Sequence, residues 1–346
     1  MTRRICCRRS NMGTALAETG HHRHRILVCV DCSTSSEVCV SYAVALATTF
    51  GSSISLVHVL QPHGAQTNDA LGWELSRQEA RAYLERLEEK ISQLSGIPVD
   101  SKLEQGPPAE RIVDLGRELA ADLIVIGSRG AGGAPMWTLG GTTQKVLAMT
   151  RSSVFIAHAS STTPRFTAPR RILVPLDGSL RTESVLPTVA RLARAHAGEV
   201  LLAHVVREPL PSALLSVDED MALARELAAR LASRAAGYLS HLQKQLEQIN
   251  DVASVRTIVA QHANECQCLL EISQREQSDL VVLSAHGAAC DSSQSFGTVT
   301  AFLLTHSAVP VLVLQDLPVH DLHRVQDHDG GTASPLLRTS YATETL

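Results

Sequence analysis

The chain contains the same domain-sized pattern twice. "RILVCVDCSTSSEVCVSYAVALATTFGSSISLVHVL" (25–60) aligns without a gap on "RILVPLDGSLRTESVLPTVARLARAHAGEVLLAHVV" (171–206), and 12 of the 36 positions are identical. The shared residues include Asp31/Asp177, Ser33/Ser179, Glu37/Glu183 and His58/His204. A second block follows, "ADLIVIGSRGAGG" (121–133) on "SDLVVLSAHGAAC" (278–290). A period of this size marks duplicated domains rather than a solenoid. With 346 residues the chain has room for both. The expected division is domain 1 at 25–160, a Pro/Ser/Thr linker "STTPRFTAPR" at 161–170, and domain 2 at 171–316. Residues 1–24 and 317–346 show no sustained hydrophobic period and are expected to be flexible tails.

Each copy alternates strand and helix signals. In the first, strands are expected at 26–30, 54–60, 99–104, 123–126 and 154–157, with helices at 35–50, 73–94, 108–119 and 142–149. In the second, strands fall at 172–176, 200–206, 255–260, 280–283 and 311–314, with helices at 182–196, 221–246, 265–276 and 298–305. Ala80, Leu84, Leu87, Ile91 and Leu94 recur at three and four, giving the long helix of copy one a single buried stripe. Near-continuous Val/Ile/Leu strands separated by helices predict an α/β fold, a parallel sheet covered on both faces. Aromatics are only 3% of the chain, so its core has to come from Leu, Val, Ile and Ala.

A net charge of -4 gives no electrostatic case for nucleic acid or an acidic membrane. No apolar run approaches a membrane span. The N-terminus lacks the apolar core of a secretory signal. Eight cysteines without regular spacing do not form a disulfide framework. A cytoplasmic location is the expectation.

In an open parallel sheet, ligands bind beyond the carboxyl ends of strands where the strand order reverses. Two features end strands in both copies. The first strand leads into Asp31 or Asp177. The fourth leads into a glycine-containing loop, "GSRGAGGAPMWTLGGT" (127–142) in copy one and "SAHGAACDSSQSFGT" (284–298) in copy two. If strands one and four are neighbours, carboxylate and loop share one crevice. The carboxylate accepts hydrogen bonds from ribose or base. The loop offers N–H donors and a positive helix end to phosphate.

These residues give the chain a resemblance to a tandem universal stress protein, covering about 25–158 and 170–316. Nucleotide-binding members of that family carry Gly-x-x-Gly, nine residues, then Gly followed by Ser or Thr. Copy one matches with Gly127, Gly130 and Gly140; Gly141 stands at the hydroxyl position and Thr142 follows. Copy two has Ser284 for the first glycine but keeps Gly287, Gly297 and Thr298. The resemblance implies two Rossmann-like domains, each a five-stranded sheet of order 3-2-1-4-5. It implies ATP or a related adenine nucleotide as ligand, with or without Mg²⁺. Asp31 or Asp177 would meet the adenosine end, and the glycines and hydroxyl residue the ribose and phosphates. It also implies that the two domains pack together, with a homodimer as a further level of assembly. Asp291 in the second loop would disfavour phosphate, which makes copy one the better candidate.

Other readings compete. Asp31 and Asp177 are also placed to cap the following helices. His58 and His204 suit a core or adenine-side position better than catalysis. Cys29 and Cys32 have CxxC spacing, but Cys29 lies inside a strand and its counterpart is Pro175. Cys266/Cys268 and His21/His22/His24 lack a four-ligand zinc pattern. Trp137 either stacks on a base or anchors the loop. Lys145 is either a phosphate ligand or a solvated helix lysine. The chain lacks a Walker GxxxxGK[ST] loop, and no acidic pair near the loop is evidently arranged for Mg²⁺. A non-enzymatic nucleotide-binding stress protein, read by an unidentified protein partner, is therefore expected. A nucleotide-free scaffold is the alternative. Adenylating enzymes of similar fold need Ser-Gly-Gly-x-Asp-Ser after strand one, where this chain has "DCSTSS" and "DGSLRT".

Overall fold

A computed structural model describes residues 24–61, 70–129, 139–158, 169–208, 218–248, 250–289 and 294–315. The first half runs β1 (Arg25–Cys29), α1 (Thr34–Phe50), β2 (Ser53–Leu60), α2 (Ala70–Ser95), β3 (Val99–Gln105), α3 (Pro108–Glu118), β4 (Leu123–Gly127), α4 (Gly141–Met149) and β5 (Ser153–Ala157). The second runs β6 (Arg171–Pro175), α5 (Leu180–Glu183), α6 (Leu186–His196), β7 (Glu199–Arg207), α7 (Asp218–Gln248), β8 (Ser254–His262), α8 (Glu265–Arg275), β9 (Leu280–Ser284), α9 (Thr298–His306) and β10 (Val311–Leu314).

Ten strands form one sheet of order β3-β2-β1-β4-β5-β10-β9-β6-β7-β8. Each half is internally parallel and has the 3-2-1-4-5 order, so β1 lies against β4 and β6 against β9. The halves join where β5 meets β10 in antiparallel register, Val154 opposite Val313 and Ile156 opposite Val311. Strand residues alternate between two cores, as a two-faced sheet requires. Ile26, Val28 and Phe155 enter the core beneath α1, α2, α6 and α7; Leu27, Val154 and Ile156 enter the core beneath α3, α4, α8 and α9. Across the joint, Arg191 of α6 donates to the Thr49 carbonyl at 3.0 Å and lies over the Phe50 ring at 4.8 Å.

Three expectations need correction. The strands expected to run to Val30 and Leu176 stop one residue earlier, at Cys29 and Pro175. Val30 N–H makes one more bond, to the Val57 carbonyl at 2.9 Å, and the chain then turns through Cys32 at φ 61°. The single helix expected at 182–196 is two, α5 and α6, because Pro187 has no N–H to bond the preceding turn. Leu94 continues the α2 stripe in sequence but is 79% exposed. It borders a groove between α1 and α2 that Val40, Val44, Leu87 and Ile91 also line. Among the described residues, no helix is long and apolar enough to cross a membrane.

Candidate functional site

The turn after β1 fixes the carboxylate. Ser33 donates to Asp31 Oδ1 through its N–H at 3.1 Å and its hydroxyl at 2.5 Å. Ser33 is itself the N-cap of α1, accepting from Ser36 N–H at 3.3 Å. Copy two repeats this, with Ser179 capping α5 and donating to Asp177 from N–H and hydroxyl at 2.9 and 2.6 Å. The caps are therefore the serines, and each aspartate is a neighbour that its serine holds in place. His58 Nδ1 lies 2.8 Å from the Val30 carbonyl and His204 Nδ1 2.8 Å from the Leu176 carbonyl. These histidines pin the chain one residue before each aspartate.

The loop after β4 is anchored at both ends. Thr143 donates to the Gly127 carbonyl at 2.8 Å, and Gly140 N–H to the Ser128 carbonyl at 2.8 Å. A Cβ at Gly127 would lie 2.9 Å from the Arg129 carbonyl oxygen, so glycine permits the tight return. Thr300 and Gly297 make the equivalent bonds in copy two, to Ser284 and Ala285. There Ser284 solves the crowding differently, donating its hydroxyl to the His286 carbonyl at 2.6 Å.

In copy one these pieces surround a cavity of about 450 Å³. Val57, Val59, Ile112 and Ile126 form an apolar wall. Asp31, Gly127, Gly140 and Thr142 lie on the polar side, together with Arg129. Such a division, mostly apolar with a few placed polar groups, suits a small organic ligand. Arg129 was not singled out from the sequence; the signal was a cation between two motif glycines. Its field reaches His158, which follows β5. Burial, helped by the Arg129 charge, lowers the His158 pKa to about 4.

In copy two the described start of the loop contacts the carboxylate. Ala288 N–H donates to Asp177 Oδ2 at 2.6 Å, and a Cβ on Gly287 would overlap that carboxylate. Thr182 adds a third donor residue at 2.9 Å. Burial pushes the Asp177 pKa up, but hydrogen bonds from Ser179, Ala288 and Thr182 outweigh it and leave the group below the usual carboxylate value. The loop thus lies directly on its own aspartate. Gly297 starts α9 and Thr298 is exposed at its first position. Gly130, Trp137, Asp291, His21 and His22 lie outside the described residues.

Burial raises the pKa of the thiols at this site, Cys32 included. Burial, then the neighbouring Cys39 and Asp31, pushes the Cys29 pKa far above its ordinary value. Cys39 is pushed up to about 12, by burial and then Asp31. A thiolate is what reacts, and both groups are held as thiols. Among the described residues, no group of three or more His, Cys, Asp or Glu side chains is placed to hold a metal ion.

Comparison with known proteins finds one family in both halves. The profile of the universal stress protein family matches residues 22–158 and 169–315. A universal stress protein of Mycolicibacterium smegmatis is 24% identical over 300 residues, covering 84% of this chain and 96% of that protein. A shorter universal stress protein from Thermus aquaticus is 35% identical over 127 residues, covering 36% of this chain and 90% of its own length. Among solved structures, a universal stress protein from Archaeoglobus fulgidus has a TM-score of 0.61 at 18% identity, covering 85% of this chain and 98% of that one.

Proposed function

The chain belongs to the universal stress protein family, and from that premise we propose that its first half is a non-enzymatic receptor for ATP or a related adenine nucleotide. One observation carries the reading: the copy-one cavity collects Asp31, Gly127, Gly140, Thr142 and Arg129 around an apolar wall. Adenine packs against Val57, Val59, Ile112 and Ile126. Asp31 accepts hydrogen bonds from the adenosine end. Phosphates approach the N-terminus of α4, where unpaired N–H groups and the helix dipole favour negative charge. Arg129 supplies the positive side chain that a Walker lysine supplies elsewhere. If Mg²⁺ accompanies the nucleotide, it neutralises the phosphates; no catalytic step is assigned to it.

The second half serves as a partner domain, its loop carrying Ser284 in place of the first motif glycine and the acidic Asp291. Nucleotide occupancy in the first half then alters the 127–142 loop, which a protein partner in the cytoplasm reads.

Calorimetric titration of the full chain with ATP tests this. The expected result is one ATP per chain, with Arg129→Ala weakening binding by roughly tenfold or more, since hydrogen bonds to charged groups contribute about 1.5–3 kcal/mol. Gly130→Val weakens binding more than Gly287→Val. Absence of binding at millimolar ATP would overturn the reading in favour of a nucleotide-free scaffold.

A further inference from the structure

A second cavity, of about 570 Å³, opens beside the first. The two share Gln61, Pro108, Gly141 and Thr142. Their common wall is the N-terminus of α4. At Gly141, the residue standing where the family motif carries a hydroxyl, a Cβ would meet nothing within 4 Å among the described residues. The departure from the motif thus places no side chain on the wall that the two cavities share. The anion-favouring end of α4 lies between two chambers rather than at the blind end of one.

The charges follow the same order. Arg129 lines the first cavity and Lys145, one turn into α4, lines the second. Each cavity also carries a carboxylate, Asp31 in the first and Glu110 in the second. Arg111, next to Glu110, is engaged by Glu104 at 2.6 Å. A long phosphate tail pushed into the second chamber would run towards the Glu110 carboxylate, which repels it. A nucleoside there offers Glu110 hydroxyl and amino donors, and finds flat aliphatic surface on Pro107 and Pro108.

We propose that this cleft takes a dinucleotide, two nucleosides joined through a phosphate chain, with the phosphates over α4 and the second nucleoside against Pro107, Pro108 and Glu110. The inference rests on the nucleotide reading of the first cavity and extends it.

The test is calorimetric titration of the full chain with ATP and, separately, with diadenosine tetraphosphate. The dinucleotide is expected to bind roughly tenfold or more tightly than ATP, the worth of one further charge-assisted hydrogen bond plus ring contact. Glu110→Ala should remove most of that advantage while leaving ATP affinity within about twofold, the retained ATP binding showing that the variant folds. Gly141→Thr, which places a side chain on the shared wall, should also reduce the preference. ATP binding with equal or weaker dinucleotide binding would overturn this inference and spare the nucleotide reading. So would a dinucleotide preference that Glu110→Ala leaves intact. Failure of both ligands to bind would overturn the two readings together.

Discussion

Replacing His158 with glutamine should flatten the acid side of the stability profile. His158 follows β5, and its pKa is lowered from 6.5 to about 4 by burial and then by Arg129. Among the described residues its buried Nε2 has no hydrogen-bond partner. The folded chain therefore holds a neutral imidazole where the unfolded chain takes up a proton. Stability from this residue is complete above about pH 6.5, because neither state is then protonated. It falls as pH drops towards 4, because the unfolded state binds the extra proton. The gap between the two pKa values corresponds to roughly 3 kcal/mol lost by pH 4. Glutamine is the residue that copy two carries at the matching place, Gln315 after β10, so the substitution has a precedent in the same fold. Urea unfolding from pH 7 to pH 4 on both proteins isolates the effect, because carboxylates titrate alike in each. The two curves should diverge progressively below pH 6.5. Parallel curves would refute the assigned burial and charge. Arg129→Ala should lie between them, since it removes the smaller of the two causes.

Three further outcomes follow from local geometry. Cys32 sits at φ 61° where copy two has Gly178 at φ 84°, so Cys32→Gly should raise stability by about 1 kcal/mol in a denaturant titration. Gly127→Ala should cost about 1–3 kcal/mol by crowding the Arg129 carbonyl, and Gly127→Ser should cost less, because the hydroxyl can bond that carbonyl as Ser284 bonds His286; comparison of melting temperatures decides. Phe155, 1% exposed on the joining strand and 5.0 Å from the Tyr42 ring, should cost about 3–5 kcal/mol when cut to alanine, with calorimetry expected to show the single unfolding transition broadening.

The duplication carried most of the fold. Once Asp31 and Asp177 aligned, the strand–helix order of one half confirmed the other, and apolar strands gave away a sheet covered on both faces. The convergence of Asp31 with Gly127 and Gly140 was legible only through the family resemblance, which implied the strand order that sets β1 beside β4. What escaped depends on the path of a loop through space. Nothing in the order of letters says that Ala288 would turn its N–H onto Asp177. The Asp291 charge suggested a weaker second site, whereas the described residues show a carboxylate already engaged by its own loop. Arg129 escaped because a cation between glycines reads as an ordinary loop residue until a cavity forms around it. Pro187 was a break visible in sequence, but the Ala/Leu/Arg run after it masked the interruption.

The antiparallel joint of β5 and β10 has a directional consequence. Every strand of one half runs opposite to every strand of the other, so the carboxyl ends of β1 and β4 emerge on one rim of the sheet and those of β6 and β9 on the far rim. The two clefts therefore look away from each other. On the proposed reading, a protein docked over the first rim would meet that cleft alone and leave the opposite rim accessible to a second protein.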